Sequence, residues 1–391
     1  MRVGALVSKA ALWLSLLLIF TIPWENIVTV GGLGTTARVV GLFAAALWSA
    51  KVLVTGSFRR PRLFHAVVLT FVLWNALSLF WTIDTDKTAE SIQTYIQTFV
   101  FVLILWDLCS TPSAVHAALQ SYVLGAYVSI GSQLSNYGSG IGWNSRRFTA
   151  TGISPNDLGF ILALGIPVAW QLAIEGKRRW LRLINYAYVP LAVLSVVLTA
   201  SRASFAAAMV GLIYVLVSLT RVIPYLRAIL VATTLGLLVL IFQYVPERAV
   251  ERLESTSSVI EGGDFNGRMR IWQQGLELFY PNPVLGIGSG AFSTGVASGR
   301  APHNLALSLL VEVGIVGFLL YGTILAMAVA CAISQTKWSS RLWLTVLAVW
   351  LLAAAVHNFE NRKQTWFFLS LIVASSRLQD PPSPEKAETA S

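Results

Sequence analysis

Residues 303–332, HNLALSLLVEVGIVGFLLYGTILAMAVACA, decide the fold class of this chain. The stretch is almost entirely apolar, and its one charged side chain is Glu312. A helix needs about 20 mostly apolar residues to cross a bilayer, and this stretch exceeds that length. The sequence therefore predicts a membrane-spanning helix here.

The same apolar character extends over the whole chain. Of its 391 residues, 55% are hydrophobic and only 12% are charged, which is about half the charged share of a typical soluble protein. This composition excludes a soluble multidomain fold, and the high hydrophobicity excludes intrinsic disorder. Residues 10–20 form an apolar run with no small-residue cleavage pattern after it, so we expect a retained first span and not a signal peptide.

The chain is thus predicted to be an all-α, polytopic integral membrane protein. Residues 1–378 are expected to form a single transmembrane helical domain, and residues 379–391, which are rich in proline, a disordered cytoplasmic tail. About twelve spans are predicted, at residues 8–28, 36–55, 63–83, 89–108, 112–133, 155–174, 183–200, 202–220, 226–245, 303–332, 340–357 and 364–378.

The basic residues predict the orientation of these spans. With a cytoplasmic N-terminus, 16 of the 28 lysines and arginines fall on the cytoplasmic side, as the positive-inside rule requires. Residues 246–302 then form one longer periplasmic loop, in which we expect two short helices, at about 246–258 and 267–279. An even number of spans also places the C-terminus in the cytoplasm.

The formal net charge of +10 does not indicate a nucleic-acid-binding protein. Such proteins cluster their basic residues on the face of a soluble module, whereas here they lie in short connections between apolar segments. The two cysteines, Cys109 and Cys331, indicate neither a disulfide framework nor a metal site. The histidines are too scattered for a zinc signature, so no metal and no cofactor are predicted. They are His65, His116, His303 and His357.

Ionisable and polar residues gather at the predicted periplasmic ends of several spans. Such groups are costly near a bilayer and are functional candidates by default. The candidates are Arg146, Arg147, Arg202, Arg268, Arg270, His303 and Asn304.

Several motifs around these residues resemble the O-antigen ligase and O-antigen polymerase family. His303-Asn304, followed by Gly314 and Gly317, has the spacing associated with the ligases. The order of the motifs and their common membrane face carry the resemblance, since each alone is weak. They are Ser154-Pro155-Asn156-Asp157-Leu158, Ser201-Arg202, GRMRIW at 267–272, NPVLGIG at 282–288, Pro302-His303-Asn304 and EVGIVG at 312–317.

The resemblance implies a membrane glycosyltransferase of lipopolysaccharide biosynthesis. Such an enzyme transfers a glycan en bloc from polyprenyl (undecaprenyl) diphosphate to a hydroxyl group, without a metal, at the periplasmic face of the bacterial inner membrane. In a ligase the acceptor is the lipid A-core; in a polymerase it is another lipid-linked repeat unit. Protein O-oligosaccharyltransferases are a third branch. The motifs lean towards a ligase and do not separate these alternatives.

The chemistry of the candidates agrees with this function. Breaking a sugar–diphosphate bond requires stabilisation of the departing negative charge, and the guanidinium fork matches phosphate geometry. Neutral histidine is suited to accept the proton of a hydroxyl nucleophile. We therefore predict that His303 is catalytic. The predicted substrate-binding residues are Arg147, Arg202, Arg268, Arg270 and Asn304.

Structural roles compete with these assignments. His303 could serve only a helix start, and Arg202 could reach the interface as a long amphipathic side chain. Arg268 and Arg270 are two residues apart on a predicted helix and face different ways, so both are not expected to bind the same ligand. Glu312 is expected to pair with a neighbouring helix.

Two further patterns are interpreted as structural features. The glycines at 286, 288 and 290 lack the strand and the Gly-Lys-Ser/Thr ending of a phosphate-binding loop, so they predict close packing or a tight turn. Trp272, Leu276 and Phe279 form an apolar stripe that is expected to cap the site or lie on the membrane, with an aromatic platform for sugar as the alternative. A transporter of lipid-linked sugars is the rival class, disfavoured because the charges lie on one face and no two-half symmetry is visible.

Overall fold

The computed structural model describes residues 2–32, 34–142, 147–222 and 268–378, with a few isolated positions between 224 and 236. This part of the chain is helical apart from loops and one antiparallel ribbon of two short strands, β1 (Thr29–Val30) and β2 (Gly34–Thr35). The predicted all-α class is confirmed for these residues.

The helices fall into two groups along the chain. Those before residue 222 are α1 (Arg2–Thr21), α2 (Thr36–Thr55), α3 (Leu63–Leu77), α4 (Thr85–Leu108), α5 (Pro112–Gly138), α6 (Pro155–Glu175), α7 (Arg179–Leu198) and α8 (Arg202–Ser218). Those from residue 268 onward are α9 (Arg268–Phe279), α10 (Phe292–Gly295), α11 (Leu305–Ile333), α12 (Lys337–Val356) and α13 (Lys363–Ser376). Short 3₁₀ turns occupy Ile22–Trp24, Ser78–Phe80 and Leu219–Arg221.

Nine helices of the described residues are long and apolar enough to span a membrane. They comprise α1, α2, α3, α4, α6, α7, α8, α11 and α12. A multi-pass membrane protein follows from them, but the predicted number of about twelve spans is not confirmed.

The other three predicted spans are not among these nine, each for a different reason. The segment 112–133 lies in α5, which is long enough but less apolar than the nine. The segment 364–378 corresponds to α13, which ends at Ser376 and whose 14 residues reach only about 21 Å, short of a hydrocarbon core of about 30 Å. The segments 226–245, 246–258 and 379–391 lie outside the continuously described residues.

α13 is nevertheless the most enclosed helix of the bundle. Every residue from Gln364 to Ser376 is buried. Tyr122 of α5 stacks on Phe367 with ring centroids 5.4 Å apart. α6 is nearly as enclosed, with 89% of its most apolar window buried. These two helices form the core against which the others pack.

The loops that the order of spans predicts for one face meet at one end of the bundle. Lys363 pairs with Glu25, and Arg362 with Asp157 at 3.3 Å. The hydroxyl of Thr294 donates to Asp84 at 2.6 Å. We call this end the site end, because it also carries the described candidate residues. Ion pairs such as that of Lys51 with Asp107 lie at the opposite end.

α11 is interrupted at Gly314, which has φ 67° and ψ −173°. The backbone carbonyls just before the break are therefore released from the helix. The indole N–H of Trp74 donates to one of them, the carbonyl of Val313, at 2.9 Å. The predicted continuous span 303–332 thus consists of two helical halves.

Residues 283–290, which we call the glycine loop, occupy the break. The backbone N–H groups of Ile287 and Gly288 donate to the carbonyls of Val311 and Glu312, each at 2.9 Å. A Cβ atom on Gly286 would lie 2.5 Å from the Glu312 backbone. The close-packing interpretation of these glycines is therefore confirmed, since only a residue without a side chain allows this approach at Gly286.

The loop also receives the side chain of Glu312, whose Oε2 accepts the backbone N–H of Gly290 at 2.8 Å. The expected partner on a neighbouring helix is thus replaced by this loop. The loop is further tied to α3, because the hydroxyl of Ser289 donates to Asn75 at 2.7 Å.

Replacing Gly314 by alanine should destabilise the protein. The added Cβ would overlap the carbonyl oxygen of Val284 and would occupy a positive φ, a combination that costs about 1–3 kcal/mol or more. We expect the melting temperature of the purified protein to fall by about 5 °C. Gly322→Ala on the same helix, where a Cβ meets nothing within 4 Å, is the control. Equal melting temperatures of the two variants would show that packing of the glycine loop into the break does not depend on a glycine at position 314.

Candidate active site

His303 lies immediately before α11, at the site end. It has a positive φ of 50°, one of two such non-glycine residues in the described part of the chain. The next residue, Asn304, is the helix cap, because its Oδ1 accepts the backbone N–H of Leu307 at 3.1 Å. A capped helix start preceded by a strained residue fixes the direction of the imidazole. The Oδ1 of Asn304, predicted to bind substrate, is thus engaged within the protein.

A second histidine packs against the first. His357 follows α12, and the centroid of its ring lies 5.1 Å from that of His303 at an interplanar angle of 84°. The Nδ1 of His303 is buried and has no hydrogen-bond partner among the described residues. Two imidazoles from different helices therefore share one small volume.

Asp157 completes this group. Its Oδ1 lies 3.8 Å from Nδ1 of His357, while its Oδ2 accepts the hydroxyl of Ser154 at 2.9 Å and pairs with Arg362 at 3.3 Å. Ser154 also caps α6, so the carboxylate is held in place at the start of that helix. Aspartate, two histidines and an arginine thus form a row from α6 to α11.

Positive charge also lies near the histidine pair. Burial lowers the pKa of His303, the charge of Arg268 lowers it further, Asp157 opposes this, and Arg300 acts with Arg268. Burial likewise lowers the pKa of His357 to about 4, against the raising effect of Asp157. Both imidazoles are therefore neutral at neutral pH.

α9 delivers Arg268 to this place. The indole N–H of Trp272 donates to the carbonyl of Pro302 at 2.8 Å, directly beside His303. Burial lowers the pKa of the Arg268 guanidinium, whereas Arg270 is exposed. The two arginines thus face different ways, as the helical spacing predicts.

The predicted apolar stripe of α9 is only partly correct. Trp272 and Phe279 pack against a small core beneath the helix, but Leu276 is 41% exposed. The buried face instead runs through Ile271 and Gly275. A Cβ on Gly275 would lie 2.9 Å from the ring of Phe292, so the absence of a side chain lets the helix sit close.

Arg147 and the Ser201-Arg202 turn lie next to the start of α6. The guanidinium of Arg147 donates to Asn156 at 2.6 Å and to the carbonyl of Thr199 at 3.1 Å. Ser204 donates to the carbonyl of Asn156 at 3.1 Å, which places the first turn of α8, and with it Arg202, beside the α6 start. Arg146 lies outside the described residues.

The structure thus brings Arg268 close enough to His303 for its charge to lower the pKa of the imidazole. Arg147 and Arg202 belong to the adjoining α6–α8 corner, on the same end of the bundle, and Arg270 faces away.

Comparison with known families identifies this region. Residues 187–322 match the family model described as O-antigen ligase. This segment, about a third of the chain, is similar to the O-antigen ligase family. The match spans Arg202, Arg268 and His303, and the predicted family is confirmed. A search of curated proteins found no significant match.

Three residues of this candidate site were not selected from the sequence. His357 and Arg362 lie after residue 322, and Asp157 lies before residue 187, where it had been quoted only as part of a motif. A signal was available for the first two, since the short segment 357–363 between the last two spans contains four ionisable residues. Its predicted face is the same as that of His303.

Trp272→Phe should weaken the attachment of α9. The variant loses one hydrogen bond and little apolar contact, at a cost of about 1 kcal/mol. We expect the melting temperature to fall by about 2–4 °C. Trp180→Phe, at a position that is 55% exposed, serves as the matched control. A melting temperature of Trp272→Phe equal to that of this control would show that the indole bond does not hold the helix.

Proposed function

We propose that this protein is a glycosyltransferase of the bacterial inner membrane, with its active site facing the periplasm. It transfers a glycan en bloc from polyprenyl diphosphate to a hydroxyl group, as an O-antigen ligase whose acceptor is the lipid A-core. The observation that carries the proposal is that α9, bonded to Pro302, places the half-buried guanidinium of Arg268 near the neutral imidazole of His303, inside the segment that matches the O-antigen ligase model.

In the proposed reaction His303 acts on the acceptor and Arg268 acts on the donor. The acceptor oxygen attacks the anomeric carbon of the donor sugar and transfers its proton to His303. The bond from that carbon to the diphosphate oxygen breaks, and the diphosphate keeps the electron pair. Arg268, supported by Arg202 and Arg147, stabilises the charge that develops there. The arginines supply positive charge in the role that a metal ion would otherwise have, so we propose a metal-independent reaction.

Asp157 and His357 act through His303 in this proposal. The carboxylate lies close enough to favour a proton on the histidine pair, and it opposes the lowering of the pKa of both rings. A proton accepted by His303 therefore meets a nearby negative charge. This is the arrangement expected of a base that must release its proton again.

A groove between α1, α2 and α4 supports a lipid-linked donor. Its volume is about 470 Å³ and its lining is mainly apolar, with Arg38 and Lys363 among the lining residues. The side chains of Leu42 and Ile96, which line it, are 56% and 51% exposed. A hydrocarbon chain with an anionic headgroup suits these surroundings.

The transporter alternative receives little support from the same features. Broken helices such as α11 occur in transporters, where the helix ends point at a ligand near the middle of the membrane. Here the break binds the backbone of the glycine loop, and the ionisable residues of the site lie at one end of the bundle. One-sided charge suits chemistry on a lipid headgroup.

A deletion strain tests the proposed function. Loss of the chain should leave lipid-linked glycan polymer unattached to its acceptor. Short single repeat units in place of long chains would indicate the polymerase alternative, and unchanged attachment would contradict both. We expect wild-type and Arg270→Ala genes to restore attachment, because Arg270 faces away. Arg268→Ala should fail to restore it at equal membrane abundance, and full restoration by that variant would remove Arg268 from the mechanism.

The pH dependence of transfer tests the role of His303. The base must be neutral, and its pKa lies below the ordinary value of about 6.5. The transfer rate should therefore stay level as the pH falls to about 6.5 and decline only below it, as the ring becomes protonated. Residual activity of His303→Gln should lack this decline. A decline centred above about 6.5, or one that persists in His303→Gln, would contradict the assignment.

A further inference from the structure

A cavity of about 380 Å³ lies beside the histidine pair. Pro302, which precedes His303, and Arg362, which pairs with Asp157, both line it. Its other polar lining includes Glu312, Asn358 and Glu360. The volume lies within the range of roughly 300–1,000 Å³ of small-ligand sites. The proposed mechanism uses none of these carboxyl and amide groups.

Two buried acceptor atoms of this cavity lack donors. Glu360 is 4% exposed, and its Oε1 accepts the hydroxyl of Ser308 at 3.2 Å. Its Oε2 has no hydrogen-bond partner among the described residues, and the same is true of the Oδ1 of Asn358. The amide of Asn358 donates to Ser308 at 3.0 Å, so one serine holds both side chains. Buried acceptors in native proteins are almost always paired, which points to a ligand that donates hydrogen bonds.

The charge of the cavity restricts the ligand further. Glu312 and Glu360 both line it, and burial raises the pKa of Glu360 to about 7. The two cations of the lining, Arg362 and Lys363, are already paired with Asp157 and Glu25. A diphosphate or an acidic sugar would therefore meet carboxyl groups and no uncompensated positive charge. Tyr95 and Phe292 add aromatic surface to the lining. A neutral molecule with several hydroxyl groups fits these surroundings best.

We propose that this cavity is a subsite for an uncharged sugar ring, whose hydroxyl groups donate to Oε2 of Glu360 and Oδ1 of Asn358. The inference rests on the proposed glycan transfer. It assigns the diphosphate and the sugar to separate places, with the arginines at one and the carboxyl and amide oxygens at the other. The ring belongs to the acceptor or to the donor glycan, and kinetics distinguish the two.

Glu360→Gln is the variant of choice, because it keeps the size of the side chain while replacing one acceptor by a donor. Purified protein in lipid nanodiscs would be assayed with lipid-linked glycan and acceptor glycolipid, both extracted from the deletion strain. We expect one Michaelis constant to rise about tenfold to a hundredfold, the range for loss of a hydrogen bond to a charged group. A rise for the acceptor alone identifies an acceptor ring, and a rise for the donor alone a donor ring.

Glu90→Gln is the matched control, since the Glu90 side chain is 71% exposed and pairs with Lys87 on the surface of α4. Its Michaelis constants should equal those of the wild type. If Glu360→Gln does not fold, Asn358→Ala is assayed in the same way and decides the question.

Three results would overturn the proposal. Both Michaelis constants could be unchanged in a folded Glu360→Gln protein, or only the turnover rate could fall. Alternatively, wild-type transfer could require an added divalent cation that Glu360→Gln no longer responds to, which would make the cavity a cation site. Arg268→Ala separates the two levels of the argument. If that variant is inactive while Glu360→Gln behaves as wild type, the subsite alone is wrong; if Arg268→Ala is fully active, the proposed function itself fails.

Discussion

The docking of the glycine loop into the break of α11 is the constraint on which the site depends. A spanning helix cannot leave carbonyl groups unpaired in an apolar environment without a large cost. At Gly314 the released carbonyls of Val311 and Glu312 are satisfied by backbone N–H groups of the loop, and Val313 by the indole of Trp74. The interruption is therefore stable only with the loop in place.

This docking brings otherwise separate pieces of chain to one place. The glycine loop is followed by α10 and by the segment that leads to His303, and α9 precedes it. Fixing the loop against α11 thus anchors the middle of the segment that runs from Arg268 to His303. Glu312, which binds Gly290 of the loop, becomes part of the wall of the neighbouring cavity. The hydrogen bond that holds the glycine loop therefore also fixes a side chain that lines the cavity.

The site end contains two regions with different electrostatics, one around His303 and one around Glu360. Next to Arg268 and Arg300 the imidazole of His303 stays neutral, since both burial and positive charge disfavour its protonated form. In the segment between α12 and α13, burial raises the pKa of Glu360 to about 7, so its carboxyl group is partly protonated near neutral pH. An anion is favoured at the first place and a neutral hydroxyl-bearing group at the second. Arg362 stands between them, paired with Asp157 and facing the cavity.

The sequence by itself determined the membrane class, most of the spans, the start of α9 near residue 267 and the family, because hydropathy, helical period and local motifs are properties of neighbouring residues. It also indicated that Arg268 and Arg270 face different ways, since 100° per residue follows from helix geometry alone. Only the tertiary structure decided that Asp157, His357 and Arg362 lie beside His303, and that Glu312 meets the glycine loop. Asp157 and Arg362 are 205 residues apart in the chain, and no local pattern encodes a contact that arises from the packing of whole helices around α6 and α13.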